Sequence, residues 1–228
     1  MQPQYSSIPS QGFVAAQNRV LRNTYWLLGL TMIPTVIGAI VGMGTNFAFM
    51  MHSPLMGSLV MLAVMFGLMF AVSATRNSSL GILFLLFFTG AAGFFLGPIL
   101  QVALHLANGP QLIGIAAGGT GAIFLSLATV ATVSKRDFGF MGNFLFVGLI
   151  LLIIASFANI FLHVPAASLA ISAIAILIFS GYILFDVSGI VHGGETNYIM
   201  ATLTLYLDIY NIFVNLLSLL ISLSGDRD

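Results

Sequence analysis

Seven stretches, each long enough to cross a bilayer and almost free of charge, dominate this chain: roughly 25–46, 54–75, 80–104, 111–133, 141–162, 167–190 and 198–223. A hydrocarbon core about 30 Å thick takes about 20 mostly apolar residues per helix. The runs are continuously apolar rather than alternating, which excludes a β-barrel. Of the 228 residues 59% are hydrophobic and only 5% charged, with a mean hydropathy of +1.10. A soluble domain carries about 25% charged residues, so this chain cannot cover its surface with solvated groups and its solvent must be largely lipid. The expected fold is therefore an all-α membrane protein with seven transmembrane helices. A polar tail over 1–24 precedes a transmembrane domain over 25–224, and a short polar C-terminus covers 225–228. The tail opens with Gln2, Gln4, Ser6, Ser7, Ser10 and Gln11 and does not read as a cleaved signal peptide.

Orientation follows from the basic residues. Arg19 and Arg22 precede the first span, Arg76 follows the second, and Lys135 and Arg136 follow the fourth. The loops after the first, third and fifth spans hold no Lys or Arg. That alternation predicts a cytoplasmic N-terminus, and seven spans then put the C-terminus outside. The last step is open, because the loop after span six carries Glu195 and no basic residue. A re-entrant last segment would return the C-terminus to the inside.

Lipid supplies no hydrophobic drive between helices, so close contacts rely on small residues. Gly38 and Gly42, Gly93 and Gly97, and Gly114 and Gly118 form three G-x-x-x-G pairs. Thr31, Thr35, Gly38 and Gly42 share one stripe of span one. The expectation is compact packing inside one chain, with a homodimer face as the alternative. Pro34 and Pro98 each remove a backbone donor and should kink their helices. No internal repeat supports an inverted-repeat transporter.

Span seven differs from the rest. Thr204, Asp208, Asn211, Asn215, Ser218 and Ser222 recur at spacings of three and four, on one helical face. Such a stripe should not face lipid, so the other helices are expected to surround span seven. The stripe reads either as a polar lining for a pore or cavity, or as interhelical hydrogen bonding worth about 0.6 kcal/mol per contact.

Two aspartates lie within consecutive spans, Asp186 in the sixth and Asp208 in the seventh. A carboxylate at the bilayer centre costs roughly 2.5–3.5 kcal/mol on insertion scales, so such residues normally face a bundle interior or a wet cavity. Spans six and seven should form an antiparallel hairpin that brings both residues into the cytoplasmic half of the membrane. Two carboxylates in contact cannot both ionise cheaply, so the pair is expected to share a proton, titrate near physiological pH and change helix packing as it does. Arg76 is the nearest plausible counter-ion. The alternative for Asp186 is simple hydration at the interface. Two carboxylates are too few for tight Ca²⁺ binding, which uses about six to eight oxygens, but transient contact is what a leak pathway needs. The turn around His192-Gly193-Gly194 reads mainly as structure, with Glu195 or Thr196 capping the next helix. The alternative is a docking epitope or a gate at His192.

Several chemistries are excluded or disfavoured. The chain has no Cys, hence no disulfide, thiolate nucleophile or zinc-thiolate site. Its four His are scattered singly, which argues against a metal centre and leaves no cofactor expected beyond Ca²⁺ as a permeant ion. Net charge of +0 and no basic patch argue against nucleic acid. Paired aspartates resemble those of intramembrane aspartyl proteases, but here the flanks are Leu184-Phe185-Asp186 and Tyr206-Leu207-Asp208, without the Gly-x-Gly before the second aspartate. No G-x-S-x-G elbow is present either, so an enzyme is not expected.

The tail of the chain carries a family resemblance. Phe185-Asp186, His192-Gly-Gly-Glu-Thr-Asn-Tyr198 and Tyr206-Leu-Asp-Ile-Tyr-Asn-Ile-Phe213 are similar to the C-terminal signature of the Bax inhibitor-1 family. Leu21-Arg-Asn-Thr-Tyr25, Gly97-Pro-Ile-Leu100 and Ala158-Asn-Ile-Phe-Leu162 add to it. The resemblance implies a seven-helix bundle with a central last helix and a pH-sensitive calcium leak controlled by two aspartates, at the positions of Asp186 and Asp208. For the bacterial branch it implies residence in the inner membrane and binding to the membrane AAA+ protease FtsH, with the polar N-terminal tail as the part engaged.

Overall fold

The computed structural model describes residues 11–47, 54–134 and 136–225. Residues 1–10 of the expected tail, His52, Lys135 and residues 226–228 lie outside the described residues. Within them the chain is all helical: α1 (Gln11–Met43), α2 (Pro54–Ala74), α3 (Ser79–Phe95), α4 (Gly97–Leu104), α5 (Gly109–Val133), a 3₁₀ turn (Gly139–Met141), α6 (Gly142–Leu162), α7 (Pro165–Val191) and α8 (Tyr198–Gly225). Six helical stretches are long and apolar enough to cross a membrane: Ala15–Met43, Ser79–Leu104, Gly109–Val133, Gly139–Leu162, Pro165–Val191 and Tyr198–Ser224. The described apolar part of α2, Leu59–Ala74, is shorter. Large apolar side chains stand on the outer faces, Trp26 at 78% and Phe70 at 75% exposed among them. On such a scale this suits acyl chains and not water.

Two boundaries differ from the sequence reading. α1 begins at Gln11, well before the apolar run that opens near Tyr25, so much of the expected polar tail is a helical extension. The third stretch breaks at Leu96, where Pro98 stands in the first turn of α4. There proline's missing N–H falls among donors that a helix start leaves free anyway. Pro34 lies inside α1 without ending it.

Glycine sets the closest helix contact. α1 approaches α3 and the start of α4 so nearly that a Cβ on Gly38 would lie 2.8 Å from the Phe94 amide nitrogen, and one on Gly97 would lie 2.7 Å from the Gly42 carbonyl. A Cβ on Gly93 would fall onto the Thr35 carbonyl. The third glycine pair is a correction. Gly114 and Gly118 on α5 have no atom of another residue near enough to meet a Cβ, so they face outward and build no seam inside the chain.

α8 packs against α1, α2, α3, α4, α5 and α7. Leu205, Tyr206, Ile212 and Leu217 on it are almost completely buried. α6 is the opposite case. It rests on α7 and the 3₁₀ turn, and Leu145 is its one buried residue among those described.

Candidate functional site

The hairpin of α7 and α8 carries both aspartates. Its turn is built from the sequence His192-Gly193-Gly194. Gly193 takes φ 80°, a conformation that favours glycine. The Gly189 carbonyl then accepts the amides of Gly194 at 2.7 Å and Glu195 at 3.2 Å, satisfying the end of α7. Asn197 starts α8: its Oδ1 accepts from the amides of Ile199 at 3.0 Å and Met200 at 3.1 Å. This corrects the sequence reading, which gave the cap to Glu195 or Thr196. Glu195 instead accepts from the Asn197 amide through Oε1 at 2.6 Å, which positions the cap. Asn197 is favoured because its amide nitrogen also donates to the Arg76 carbonyl at 2.9 Å and to Asn77 Oδ1 at 3.0 Å. One side chain thus fixes the start of α8 and ties it to the α2–α3 turn.

The structure brings Asp186 and Asp208 together. Their carboxyl groups lie within hydrogen-bonding reach, and the Thr204 hydroxyl, one turn before Asp208, reaches Asp186 as well. Asp208 is 5% exposed, and its Oδ2 is buried with no hydrogen-bond partner. Asp186 is half-buried. Two carboxyl groups form a hydrogen bond with one another only when one of them carries the proton. The further acidic group that bears on Asp186 is Glu195, of like sign, and among the described residues no basic side chain bears on either aspartate. Arg76 sits at the same end of the bundle, held through its backbone by Asn197. Tyr182, four residues before Asp186, faces the same pair. The sequence reading passed over it, although its i, i+4 spacing from Asp186 on one helix would have found it.

The polar stripe of α8 satisfies itself. Asn211 donates to the Leu207 carbonyl and Asn215 to the Asn211 carbonyl, each at 2.8 Å, and Ser222 donates to the Ser218 carbonyl at 3.0 Å. Thr204 reaches the Ala201 carbonyl at 3.2 Å. These donors turn back on their own helix, while Thr204 and Asp208 of the same stripe also reach Asp186 on α7.

His192 closes a second junction. Its Nδ1 lies 2.9 Å from the Ser188 carbonyl and 3.2 Å from Ser188 Oγ. Ser188 Oγ, fully buried, also accepts from the Phe138 amide at 2.9 Å and reaches the Arg136 carbonyl at 3.4 Å. The α5–α6 connection is therefore fastened to α7 half a turn from Asp186. Among the described residues no three His, Asp or Glu side chains gather to hold a metal ion.

The six long apolar helical stretches, two of which bring an acidic pair together in a hairpin, define a multi-pass membrane protein. The family profile described as "Inhibitor of apoptosis-promoting Bax1" matches residues 17–225. The chain belongs to this family, the Bax inhibitor-1 family. Among its relatives, the Escherichia coli K12 protein named "Modulator of FtsH protease YccA" is 44% identical over 94% of this chain and 95% of its own length. A protein of E. coli O6:H1 named "Inner membrane protein YccA" matches to the same extent. A Vibrio cholerae "Uncharacterized membrane protein" is 43% identical over 96% of both chains.

Proposed function

We propose that the protein is a non-enzymatic modulator of a membrane AAA+ protease of the FtsH kind, seated in the bacterial inner membrane. The observation that carries this reading is the 44% identity, over nearly the whole of both chains, to a relative named for that role. The proposed architecture is a seven-span bundle with α8 at its centre. Two features support it: α2, at 21 residues, has the length of a span, and α8 packs on every other helix but α6. The N-terminus is proposed to be cytoplasmic and the C-terminus periplasmic, because the basic residues Arg19, Arg22, Arg76 and Arg136 fall at one end. Copurification of the tagged chain with the protease from native membranes tests the reading, together with turnover of protease substrates when residues 1–18 are deleted. No association and unchanged turnover would end it.

A second reading is favoured by the acidic pair. We infer a pH-sensitive cation leak in which Asp186 and Asp208 exchange a shared proton and touch a passing Ca²⁺, with the Thr204, Asn211, Asn215 and Ser218 oxygens lining the way. Removing the proton would convert an attractive contact into repulsion between α7 and α8, so proton loss would loosen the hairpin. His192 and Glu195, at the turn, would respond first, and Arg76 is the proposed counter-ion. Ca²⁺ flux into proteoliposomes at several pH values is the measurement. Flux that depends on pH in the wild type and is lost in the double variant Asp186→Asn, Asp208→Asn is expected; equal flux from both would remove the leak. The two readings are compatible.

A further inference from the structure

On the side of α1 away from α3, the bundle is open. The backbones of α1 and α5 do not pack on one another. Between them lies a cleft of about 1170 Å³, floored by Tyr206, Ile209, Tyr210 and Phe213 of α8. It runs along α1 from Tyr25 to Met43, roughly 27 Å at the helical rise, and so crosses most of a bilayer core. The stripe of α1 that lines it, Tyr25, Gly29, Met32, Val36, Ala39 and Met43, follows spacings of three and four throughout.

Its two ends are chemically unlike. The end toward Met43, Leu104 and Pro110 is apolar. The other end holds Tyr25, Thr129 and Thr132. There Tyr25 reaches across to α5, its ring 6.1 Å from that of Phe124 and its hydroxyl near that of Thr132. One turn beyond Tyr25, in register with the lining stripe, stands Arg22, and just past the end of α5 stands Arg136, both exposed. Trp26, 78% exposed and one turn from Arg22 on α1, has the character of an interfacial anchor and marks this level as the headgroup depth.

We propose that this cleft is a binding site for one anionic phospholipid of the leaflet at the basic end. Arg22 and Arg136 meet the phosphate, the hydroxyls of Tyr25, Thr129 and Thr132 lie at the glycerol-ester depth, and the acyl chains fill the groove. Basic residues at the mouth of a gap between transmembrane helices recognise anionic headgroups in this way. Such a lipid touches three helices at once, which distinguishes it from annular lipid in contact with one face. A transmembrane helix as occupant would have no use for charge and hydroxyl groups gathered at a single end.

Gly121 allows a clean test, since it lines the cleft and nothing lies within 4 Å of a Cβ added there. A Cβ at this position meets nothing, and a larger side chain built on it takes up space in the groove. Gly114, on the same helix, is equally open but does not line the cleft. The full chain in mild detergent is offered equal amounts of phosphatidylglycerol and phosphatidylcholine, and retained lipid is counted by native mass spectrometry. The wild type and Gly114→Phe are expected to keep one phosphatidylglycerol, and Gly121→Phe to lose it. Arg22→Gln with Arg136→Gln, which leaves the groove intact, should abolish a preference for the anionic lipid on the order of tenfold. Equal retention by Gly121→Phe and Gly114→Phe would overturn the site, as would no lipid on the wild type or an unchanged headgroup preference in the arginine variant. A photocrosslinker at Val36 that captured a second copy or another protein's helix, in place of lipid, would assign the cleft elsewhere.

Discussion

The two sides of α1 are built on opposite plans. Toward α3 and the start of α4 it is joined backbone to backbone through Gly38, Gly42, Gly93 and Gly97, with no room for a single added carbon. Toward α5 it stands apart, with Gly29 opening onto empty space and Tyr25 reaching over. Small residues occur on both sides, so the residue type alone does not decide whether a helix closes or opens a gap. What decides is whether the facing helix also offers its backbone. α3 does, through Gly90 and Gly93, and so does α4 through Gly97, whereas α5 turns Gly114 and Gly118 outward. The closed side fixes the frame, and the open side leaves α8 accessible from within the bilayer.

The largest effect is expected where the closed side is forced apart. In Gly93→Leu the new side chain meets the Thr35 backbone, which cannot rotate out of the way as a flexible side-chain tip could. Overpacking commonly costs about 1–3 kcal/mol and occasionally more, and backbone against backbone belongs at the top of that range. Reversible unfolding in mixed detergent micelles should show the loss; an unchanged midpoint would mean that α1 and α3 are not seated as described.

A middle-sized effect is expected where the closed side is joined to the floor of the open one. Tyr206 O–H lies 2.9 Å from Thr35 Oγ1 and donates toward the Thr89 carbonyl at 3.3 Å. Thr35 Oγ1 also donates to the Thr31 carbonyl at 2.8 Å, so Tyr206→Phe does not orphan it. The cost should therefore stay near 0.6–1 kcal/mol, roughly that of one hydrogen bond in a membrane bundle. The same unfolding assay checks it, and a loss as large as that of Gly93→Leu would show that Tyr206 holds more than this pair of contacts.

How far the sequence could be read follows the same division. Helix existence rests on local properties, namely length, apolarity and the absence of charge, and these are visible residue by residue. The approach of Asp186 to Asp208 follows from chain connectivity, because a tight Gly-Gly turn leaves the two helices little choice but to lie side by side. Which glycine pair finds a partner is a tertiary matter: Gly38-x-x-x-Gly42 and Gly114-x-x-x-Gly118 read identically, and their neighbours lie far off in sequence. The cap went to Asn197 and not to Glu195 or Thr196 for the same reason, since its second bond is to the α2–α3 turn. The helical start at Gln11 was hidden because a polar sequence gives no apolar periodicity to follow. The open cleft had no signature either, for it is made by two helices whose backbones stand apart.

The smallest expected effect has the opposite sign, and it separates the two kinds of glycine most directly. Ala at position 118 would project away from the rest of the chain, with nothing within 4 Å of the new Cβ. A glycine inside a helix gives up about 0.5–1 kcal/mol relative to alanine through backbone entropy, so Gly118→Ala should stabilise the protein by up to that amount, less if the unfolded chain stays helical in the micelle. A Cβ on Gly38 lies 2.8 Å from the Phe94 amide nitrogen, so Gly38→Ala carries the same propensity gain but must push the helices apart and should destabilise. If both substitutions stabilise, the α1–α3 seam is looser than its geometry. If both destabilise, the outward face of Gly118 is itself covered in the membrane, by lipid held against the bare backbone or by a second copy of the chain.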